Sequence, residues 1–223
     1  MKLNCFTHQP TGAEKLENIR SSIPGFISGK RLEHTFSVEK EALRLAGLLF
    51  PVLNIDKKYF TDISAAALLH DITKYLSCDE QMRICEKYGI SADNSSENTS
   101  VLHSRTGAFI AKENFGINDT VFSSIYCHTT GKEDMNIFEK IIFIADYIEE
   151  TRTHSQCVRA REYFYSHANY SDNLIKTLDM TIIMSLDSTL SYLESIGADI
   201  DPETIKARNF LLAEYALQRS VQE

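Results

Sequence analysis

Proline, glycine and tryptophan are scarce in this sequence, which has four prolines, nine glycines and no tryptophan among its 223 residues. Proline and glycine mark the turns between short strands, so a fold built from many such strands is excluded. The alternation of apolar and polar residues that indicates a half-buried strand is nearly absent as well. Together these absences predict an all-α protein.

Membrane and secretion signals are also missing. No segment approaches the ~18 consecutive apolar residues of a membrane-spanning helix. The first segment, MKLNCFTHQPTGAEK, lacks the apolar core of a signal peptide. The five cysteines form no CxxC pair and are odd in number, which argues against a zinc ribbon or a disulfide framework. We therefore expect a cytoplasmic protein without a membrane partner.

Positive charge is in deficit, with 23 Lys and Arg against 31 Asp and Glu and a formal net charge of -8. The resulting field repels polyanions, so no nucleic-acid polymer is expected as a partner. A small polyphosphate can still bind if metal ions and a few basic side chains reverse the field locally.

Apolar residues recur with helical period along most of the chain. Residues 38–49 predict a one-faced helix that ends before Pro51, because proline disfavours a helical residue before it. Residues 63–70 predict a helix of small apolar side chains, and a strong isoleucine stripe predicts another over 136–150. The polar run at 91–100 is the clearest loop and links helices rather than domains.

The C-terminal part predicts two more helices. Apolar residues from 178 to 196 form a stripe that Gly197 closes. Asp201 and Pro202 then fit the N-cap and first position of a last helix. We expect this helix to reach about Leu217.

No internal repeat or linker divides the chain. Residues 1–223 are therefore predicted to form a single all-α domain, a helical bundle of eight or nine helices. The last two helices are expected either to close over a pocket or to form a dimer face, which leaves a homodimer open.

Six ligand-type residues follow one another along the chain: His34, His70, Asp71, His103, His128 and Asp146. The His-Asp pair is weak evidence alone, but its place at the end of an apolar helix is costly unless the carboxylate is paired or metal-bound. Asp146 lies amid the isoleucines of KIIFIADYI and likewise needs a cation. Imidazole nitrogen with carboxylate oxygen suits iron, manganese, cobalt, nickel or zinc.

The histidines also have ordinary structural roles open to them. His34 fits an exposed position at a helix start, and His103 and His128 fit hydrogen-bonded core positions, the commoner fate of a single histidine. The remaining three lie in polar or terminal stretches and are given no role; they are His8, His154 and His167.

The two aspartates have comparable alternatives. Asp71 could cap the following segment through Thr73. Asp146 could form an ion pair with Lys140 or Arg152 instead of binding a metal. Only the joint occurrence of all these residues favours a metal site.

The order His34, His70-Asp71, Asp146 resembles the metal-binding signature of the HD superfamily. The runs LLHDITK, HTTGKEDMNIFEKIIFIADYIE and TIKARNFL resemble the bacterial YqeK-type HD hydrolases over roughly residues 30–215. This resemblance implies a helical fold, a transition metal and symmetrical cleavage of diadenosine tetraphosphate, a dinucleoside polyphosphate, into two ADP. Iron is the metal it implies first, as one or two ions, with Mn, Co, Ni or Zn as alternatives and Mg open for a second site.

The resemblance assigns roles to the ligand-type residues. It implies one metal site formed by His34, His70, Asp71 and Asp146. His103 and His128 match the histidines that complete a second metal site in binuclear members.

The resulting hypothesis is phosphoanhydride hydrolysis with Asp71 and Lys74 as catalytic residues. The bound metal would lower the pKa of a water molecule toward neutrality and supply hydroxide. Asp71 or Asp146 could bridge two ions, and Asp71 could alternatively assist in deprotonating the water. Lys74, expected one turn beyond His70 on a continuing helix, would stabilise charge on the leaving nucleoside diphosphate.

Phosphate binding is expected from basic side chains and from the HTTG run, whose hydroxyl and backbone N–H groups can donate to phosphate oxygens. These candidates are Arg31, Lys74, Arg105, Thr129, Thr130, Gly131 and Arg152. The sequence departs from the family pattern at two points near them. SRTG follows His103 where a glycine is expected, and ETR follows ADYIE in place of a proline-glycine turn.

Competing motifs are poor. PGFISGKR resembles a phosphate loop, but its glycines are one residue too close and Arg31 occupies the Ser/Thr position. Two other functions stay open: another HD-type nucleotide phosphohydrolase, phosphodiesterase or di-iron oxygenase, and a non-catalytic nucleotide sensor. The full set of ligand-type residues argues against the sensor, which has no need of an open metal position.

Overall fold

The computed structural model describes residues 6–91, 99–168 and 174–220. All regular structure in these ranges is helical, without a strand, which confirms the all-α prediction. Two short 3₁₀ turns accompany ten α-helices: α1 Ala13–Ser22, α2 Gly29–Leu53, α3 Phe60–Leu69, α4 Cys78–Tyr88, α5 Thr99–Phe115, α6 Asp119–Tyr126, α7 Ile137–Ile148, α8 Ser155–Ala168, α9 Leu174–Ser195 and α10 Pro202–Ser220.

The prediction of eight or nine helices is wrong because some helices are short and polar on average, and so contain few apolar residues that could reveal a period. In α4, for example, local hydrogen bonds define the helix. The Ser77 side chain accepts from the Glu80 N–H, and the Glu80 side chain accepts from the Ser77 N–H. Such a capping box satisfies donors at the helix start without an apolar face.

Helices α2, α3 and α7 form the centre of the fold. The long α2 packs against both α3 and α7, and α6 packs against α3 and α7 as well. Helix α7 is apolar around most of its circumference, as expected for a buried helix. Asn136 caps its start by accepting from the Phe138 and Glu139 N–H groups, so the helix predicted over 136–150 spans 137–148.

Helix α2 continues past Pro51, so the predicted end before this residue is wrong. A proline at this position removes one backbone hydrogen bond to the preceding turn, a cost that the packing of α2 must offset. Asn54 then ends the helix in the left-handed conformation, with φ of 53°.

Helix α3 ends at Leu69, and the chain follows a series of tight turns from 70 to 75. The Lys74 N–H donates to the Asp71 carbonyl at 2.9 Å, a three-residue spacing. The predicted continuation of the helix through Lys74 is therefore wrong. His70 and Asp71 lie at the point where the helix gives way to these turns.

The C-terminal helices follow the prediction closely. Gly197 has a φ of 65° and ends α9, and the Asp201 side chain accepts from the Glu203 N–H at the start of α10. Helix α10 packs against α9 and reaches Ser220. It also closes over the HTTG turn, because a Cβ at Gly131 would lie 3.0 Å from the Ala207 Cβ.

Several predictions meet the limits of the described residues. Most of the predicted loop at 91–100 lies outside them, and α5 already begins at Thr99. Within the described ranges, no helix has the length and apolar character needed to cross a membrane. The single-domain organisation over 1–223 and the homodimer stay predictions.

Candidate metal centre

Five segments bring the six predicted ligand-type residues together. They are His34 of α2, His70 and Asp71 after α3, His103 of α5, His128 after α6, and Asp146 of α7. Three overlapping groups have ligand atoms within 4.8 Å of one another: His34, His70 and Asp71; His70, His128 and Asp146; and Asp71, His103 and His128. We call these six residues the Asp71 cluster.

Asp71 lies between two pairs of imidazoles. Its Oδ1 atom is 3.1 Å from His103 Nε2 and 3.8 Å from His128 Nε2. Its Oδ2 atom is 3.3 Å from His70 Nε2 and 3.9 Å from His34 Nε2. The two oxygens of one carboxylate thus face two different sets of nitrogen atoms.

Asp146 completes the cluster from α7. Its Oδ1 atom is 2.9 Å from His34 Nε2 and 3.9 Å from His70 Nε2. Arg152 also donates to this oxygen at 2.7 Å, so one of the two predicted ion pairs is present. Lys140 instead pairs with Asp179, at 2.6 Å.

Three of the imidazoles are held through Nδ1. His70 Nδ1 contacts the Ala67 carbonyl at 2.7 Å, and His128 Nδ1 contacts the Ile125 carbonyl at 2.7 Å. His34 Nδ1 lies 3.0 Å from a Glu149 oxygen. Since these acceptors take the Nδ1 proton, Nε2 is the nitrogen through which each ring can bind a metal ion, which would displace any proton there.

Two of these Nε2 atoms lack a hydrogen bond. Within the described part of the chain, His34 Nε2 and His70 Nε2 are buried without a hydrogen-bond partner, although carboxylate oxygens lie nearby. Buried polar atoms normally find partners. Nitrogen and oxygen donors arranged in this way fit a divalent transition metal ion.

The carboxyl groups of the cluster favour their ionised form. Burial, the largest influence, would raise their pKa values, but neighbouring cations and donors outweigh it. His70 contributes most to holding the pKa of Asp71 well below its usual range. Arg152 does the same for Asp146. Both groups are therefore carboxylates at neutral pH, as ligands must be.

The basic groups respond to burial differently. Burial lowers the pKa of His103 to about 4, which keeps this imidazole neutral. Burial also lowers the pKa of His34, but the neighbouring Asp146 and Glu149 carboxylates outweigh it and raise the pKa to about 9, so a metal ion that binds here must displace a proton. The pKa of Lys74 is lowered, mainly by burial, against the attraction of the cluster carboxylates.

Three cationic side chains border the cluster. Arg31 pairs with Asp71 Oδ2 at 2.8 Å. Lys74 Nζ lies 3.2 Å from His103 Nε2, and Arg152 contacts Asp146. These cations surround the carboxylates on a protein whose net charge is negative.

The HD-domain family model matches residues 31–151, more than half of the chain and all six residues of the cluster. The chain belongs to the HD-domain family. The matched range includes the adjacent residues His70 and Asp71, which were predicted from the sequence to be part of the family's metal-binding signature.

Relatives of this HD domain include two proteins named symmetrical bis(5'-nucleosyl)-tetraphosphatase. The Halalkalibacterium halodurans protein is 31% identical over 84% of this chain and 92% of its own length. The Staphylococcus aureus protein is 29% identical over 73% of this chain and 80% of its own length. These relatives confirm the resemblance predicted from the sequence.

A solved structure has the same fold. It is described as a predicted HD superfamily hydrolase involved in NAD metabolism, from Clostridium acetobutylicum. The TM-score is 0.76 and the identity 30%, with coverage of 89% of this chain and 97% of that chain.

Other predicted phosphate-binding residues of this HD domain have different partners. Arg105 pairs with Asp201 at 2.5 Å and so ties α5 to the start of α10. The Thr129 hydroxyl lies 2.9 Å from that of Ser104. The Thr130 hydroxyl donates to the Gly131 carbonyl at 2.8 Å, beneath α10.

Sequence reasoning missed two residues that support the site. Glu149 contacts His34, and Arg161 donates to the Ile148, Glu149 and Arg152 carbonyls. The acidic residue that ends the buried ADYIE segment was the available signal for Glu149. His8, which was given no role, pairs with Asp62 at 2.8 Å outside the cluster.

Proposed function

We propose that this HD domain hydrolyses diadenosine tetraphosphate and related dinucleoside polyphosphates symmetrically, yielding two ADP. One observation carries the proposal: a buried His/Asp cluster with unpartnered imidazole nitrogens, bordered by Arg31, Lys74 and Arg152. The names of its relatives support the same reaction. We also propose that it acts in the cytoplasm.

The metal ligands of the proposed site are His34, His70, Asp71 and Asp146. The donor set suits iron, which we propose as the resident metal, and equally admits Mn, Co, Ni or Zn. When bound, such an ion would supply a hydroxide nucleophile by lowering the pKa of a coordinated water molecule toward neutrality.

Asp71 would be the carboxylate that also holds a second ion, if one binds. Its two oxygens face different imidazole pairs, whereas Asp146 approaches His34 and His70 through a single oxygen. His103 and His128 would then hold the second ion, which could also be Mg. Asp71 would thus orient both halves of the site.

The first candidates for phosphate binding are Arg31, Lys74 and Arg152. Arg31 and Arg152 neutralise Asp71 and Asp146, and metal ions at these carboxylates would free both guanidinium groups for phosphate oxygens. Guanidinium groups suit this role because their N–H groups can bind phosphate in pairs. Lys74 is the proposed catalytic cation at the leaving ADP.

The reaction breaks one P–O bond of the central bridge. The water oxygen bonds to an inner phosphorus atom, and the bridging oxygen leaves with the second ADP. Positive charge beside this oxygen stabilises the transition state, because negative charge grows there as the bond breaks. The pocket must therefore place the middle of the substrate, rather than one end, at the cluster.

The test is incubation of protein purified without chelator with diadenosine tetraphosphate, followed by chromatography and metal analysis of the same sample. We expect ADP as the sole product and one or two metal ions per chain. ATP with AMP would contradict symmetrical cleavage. Tight nucleotide binding without turnover in metal-replete protein would favour the sensor, and turnover of other nucleotides alone would favour a different HD chemistry.

A further inference from the structure

Glu149 is a buried carboxylate beside the Asp71 cluster but outside the predicted ligand set. It follows α7 directly, and its side chain is fully shielded from solvent. Its Oε1 atom lies 3.0 Å from His34 Nδ1, across 115 positions of the sequence. The contact therefore joins the end of α7 to the first turns of α2.

Local hydrogen bonds fix the Glu149 carboxylate. The Thr151 N–H donates to Oε2 at 2.6 Å, and the Thr151 hydroxyl donates to Oε1 at 2.7 Å. Arg161 of α8 donates to the Ile148 carbonyl at 2.5 Å and also to the Glu149 carbonyl. Neither carboxylate oxygen can move without breaking one of these bonds.

The carboxylate determines how His34 faces the cluster. An acceptor 3.0 Å from Nδ1 keeps a proton on that nitrogen and fixes the ring plane. The opposite nitrogen, Nε2, then faces into the cluster, 2.9 Å from Asp146 Oδ1. Carboxylates that orient ligating imidazoles in this way raise metal affinity in other proteins.

We propose that Glu149 is a positioning residue for metal binding, which acts by holding His34 with its Nε2 atom toward the metal. This inference rests on the proposed function, because it takes His34 as a ligand. Glu149 itself would touch neither the metal nor the substrate.

The experiment measures the affinity for the first equivalent of Co²⁺, by competition with a chromophoric chelator, in a double-mutant cycle. The variants are Glu149→Ala, His34→Ala and the combination of both. The visible absorption of bound Co²⁺ is recorded with each, since it reports the ligands around the ion. Glu139→Gln is the matched control, because Glu139 is a buried glutamate at the opposite end of α7 and caps that helix.

We expect Glu149→Ala to weaken Co²⁺ binding by ~10–100-fold, the usual effect of removing such a supporting carboxylate. In the His34→Ala background the same change should cost nothing further, because the residue it acts through is gone. The Co²⁺ absorption of Glu149→Ala should shift toward that of His34→Ala, and the control should keep the wild-type affinity and spectrum.

Equal losses in both backgrounds would overturn the proposal, since Glu149 would then support the site by another route. If His34→Ala binds Co²⁺ more weakly but Glu149→Ala binds it as the wild type does, only the role of Glu149 is overturned. If His34→Ala binds Co²⁺ as the wild type does, the assignment of His34 as a ligand is overturned, and this inference with it. If Glu149→Ala does not fold, Glu149→Gln replaces it. Its amide must place an N–H group against either His34 or Thr151, so a smaller loss in the same pattern is expected.

Discussion

The two ends of α3 each present a buried aspartate, but their surroundings differ. Asp62, near the start of the helix, accepts from the Thr11 N–H at 2.8 Å, the Thr11 hydroxyl at 2.7 Å and the Asn118 amide at 2.9 Å. His8 Nε2 lies 2.8 Å from its other oxygen. We call these four residues the Asp62 cluster. Every partner offers a donor, so this carboxylate is satisfied by the protein alone.

Asp71, past the other end of α3, is surrounded mainly by imidazole nitrogens. Three of the cluster imidazoles donate through Nδ1 to groups outside it, so their Nε2 atoms face the carboxylates of the cluster. Imidazole nitrogens and carboxylate oxygens this close need a proton or a metal ion between them, because their lone pairs otherwise repel one another. The contrast shows that burial of a carboxylate does not mark a site, whereas the orientation of its neighbours does.

The largest expected effect comes from removing the Asp71 carboxylate. Asp71→Ala should eliminate bound metal and lower the rate of nucleotide hydrolysis by at least ~1000-fold, or ~4 kcal/mol of transition-state stabilisation. Helical content should change little, because Asp71 lies in turns rather than inside a helix. Metal analysis, product chromatography and far-ultraviolet circular dichroism check these three points. Full activity of the variant would remove the basis for the metal assignment.

Removal of the Asp62 carboxylate should have the opposite effect. Asp62→Ala leaves the buried Thr11 and Asn118 donors without an acceptor, which should lower the free energy of unfolding by about 3 kcal/mol. Metal content and hydrolysis per folded molecule should stay at wild-type values. Urea unfolding measures the loss, with Asp119→Ala, an exposed acid paired with Lys112, as the control. Loss of metal together with stability would show that the two clusters are coupled through α3.

Chelation separates the clusters without mutation. A ligand that binds only the folded state at 100 times its dissociation constant stabilises it by ~2.7 kcal/mol. Removing the metal should therefore lower the unfolding temperature of the wild type and of Asp62→Ala by similar amounts. Asp71→Ala should show no further decrease. Calorimetry with and without chelator checks this, and equal shifts in all three proteins would place the metal elsewhere.

The sequence predicted the helices with the strongest apolar period and the members of the Asp71 cluster because both leave local signals. Apolar period marks α7 and α9, and an aspartate within an apolar helix stands out by its cost. Local signals do not identify the partners in the supporting contacts, because these contacts join residues far apart in the chain: His34 with Glu149, and Arg105 with Asp201. Periodicity indicates which face of a helix is buried but not which residue it meets.

The sequence predicted the backbone incorrectly at two places, for a related reason. The end of α2 depends on whether the last turn can tolerate Pro51, and the position of Lys74 depends on turns that no propensity distinguishes from a continuing helix. In both cases the tertiary packing decides between local conformations of similar energy. The placement of Lys74 beside His103 therefore had to come from the structure.

A third buried carboxylate sharpens the contrast, with the smallest expected effect. Glu41 lies two turns beyond His34 on α2, and its carboxylate accepts a hydrogen bond from Tyr165. Burial, the largest influence, raises its pKa, although Tyr165 and Arg44 oppose the rise. Glu41 is thus neither saturated with donors, as Asp62 is, nor surrounded by imidazoles, as Asp71 is.

The raised pKa fixes the sign of the pH dependence. The folded state binds the Glu41 proton more tightly than the unfolded state, so its stability contribution is present below the unfolded pKa of ~4.3 and decreases as the pH rises through the folded value. Glu41→Gln removes this cost and keeps an acceptor for Tyr165, so the variant should be slightly more stable than wild type at pH 7 and equal to it near pH 4. Urea midpoints of chelated samples at both values measure the difference. An equal gain at both would mean that packing, rather than ionisation, distinguishes Glu41 from the two aspartates.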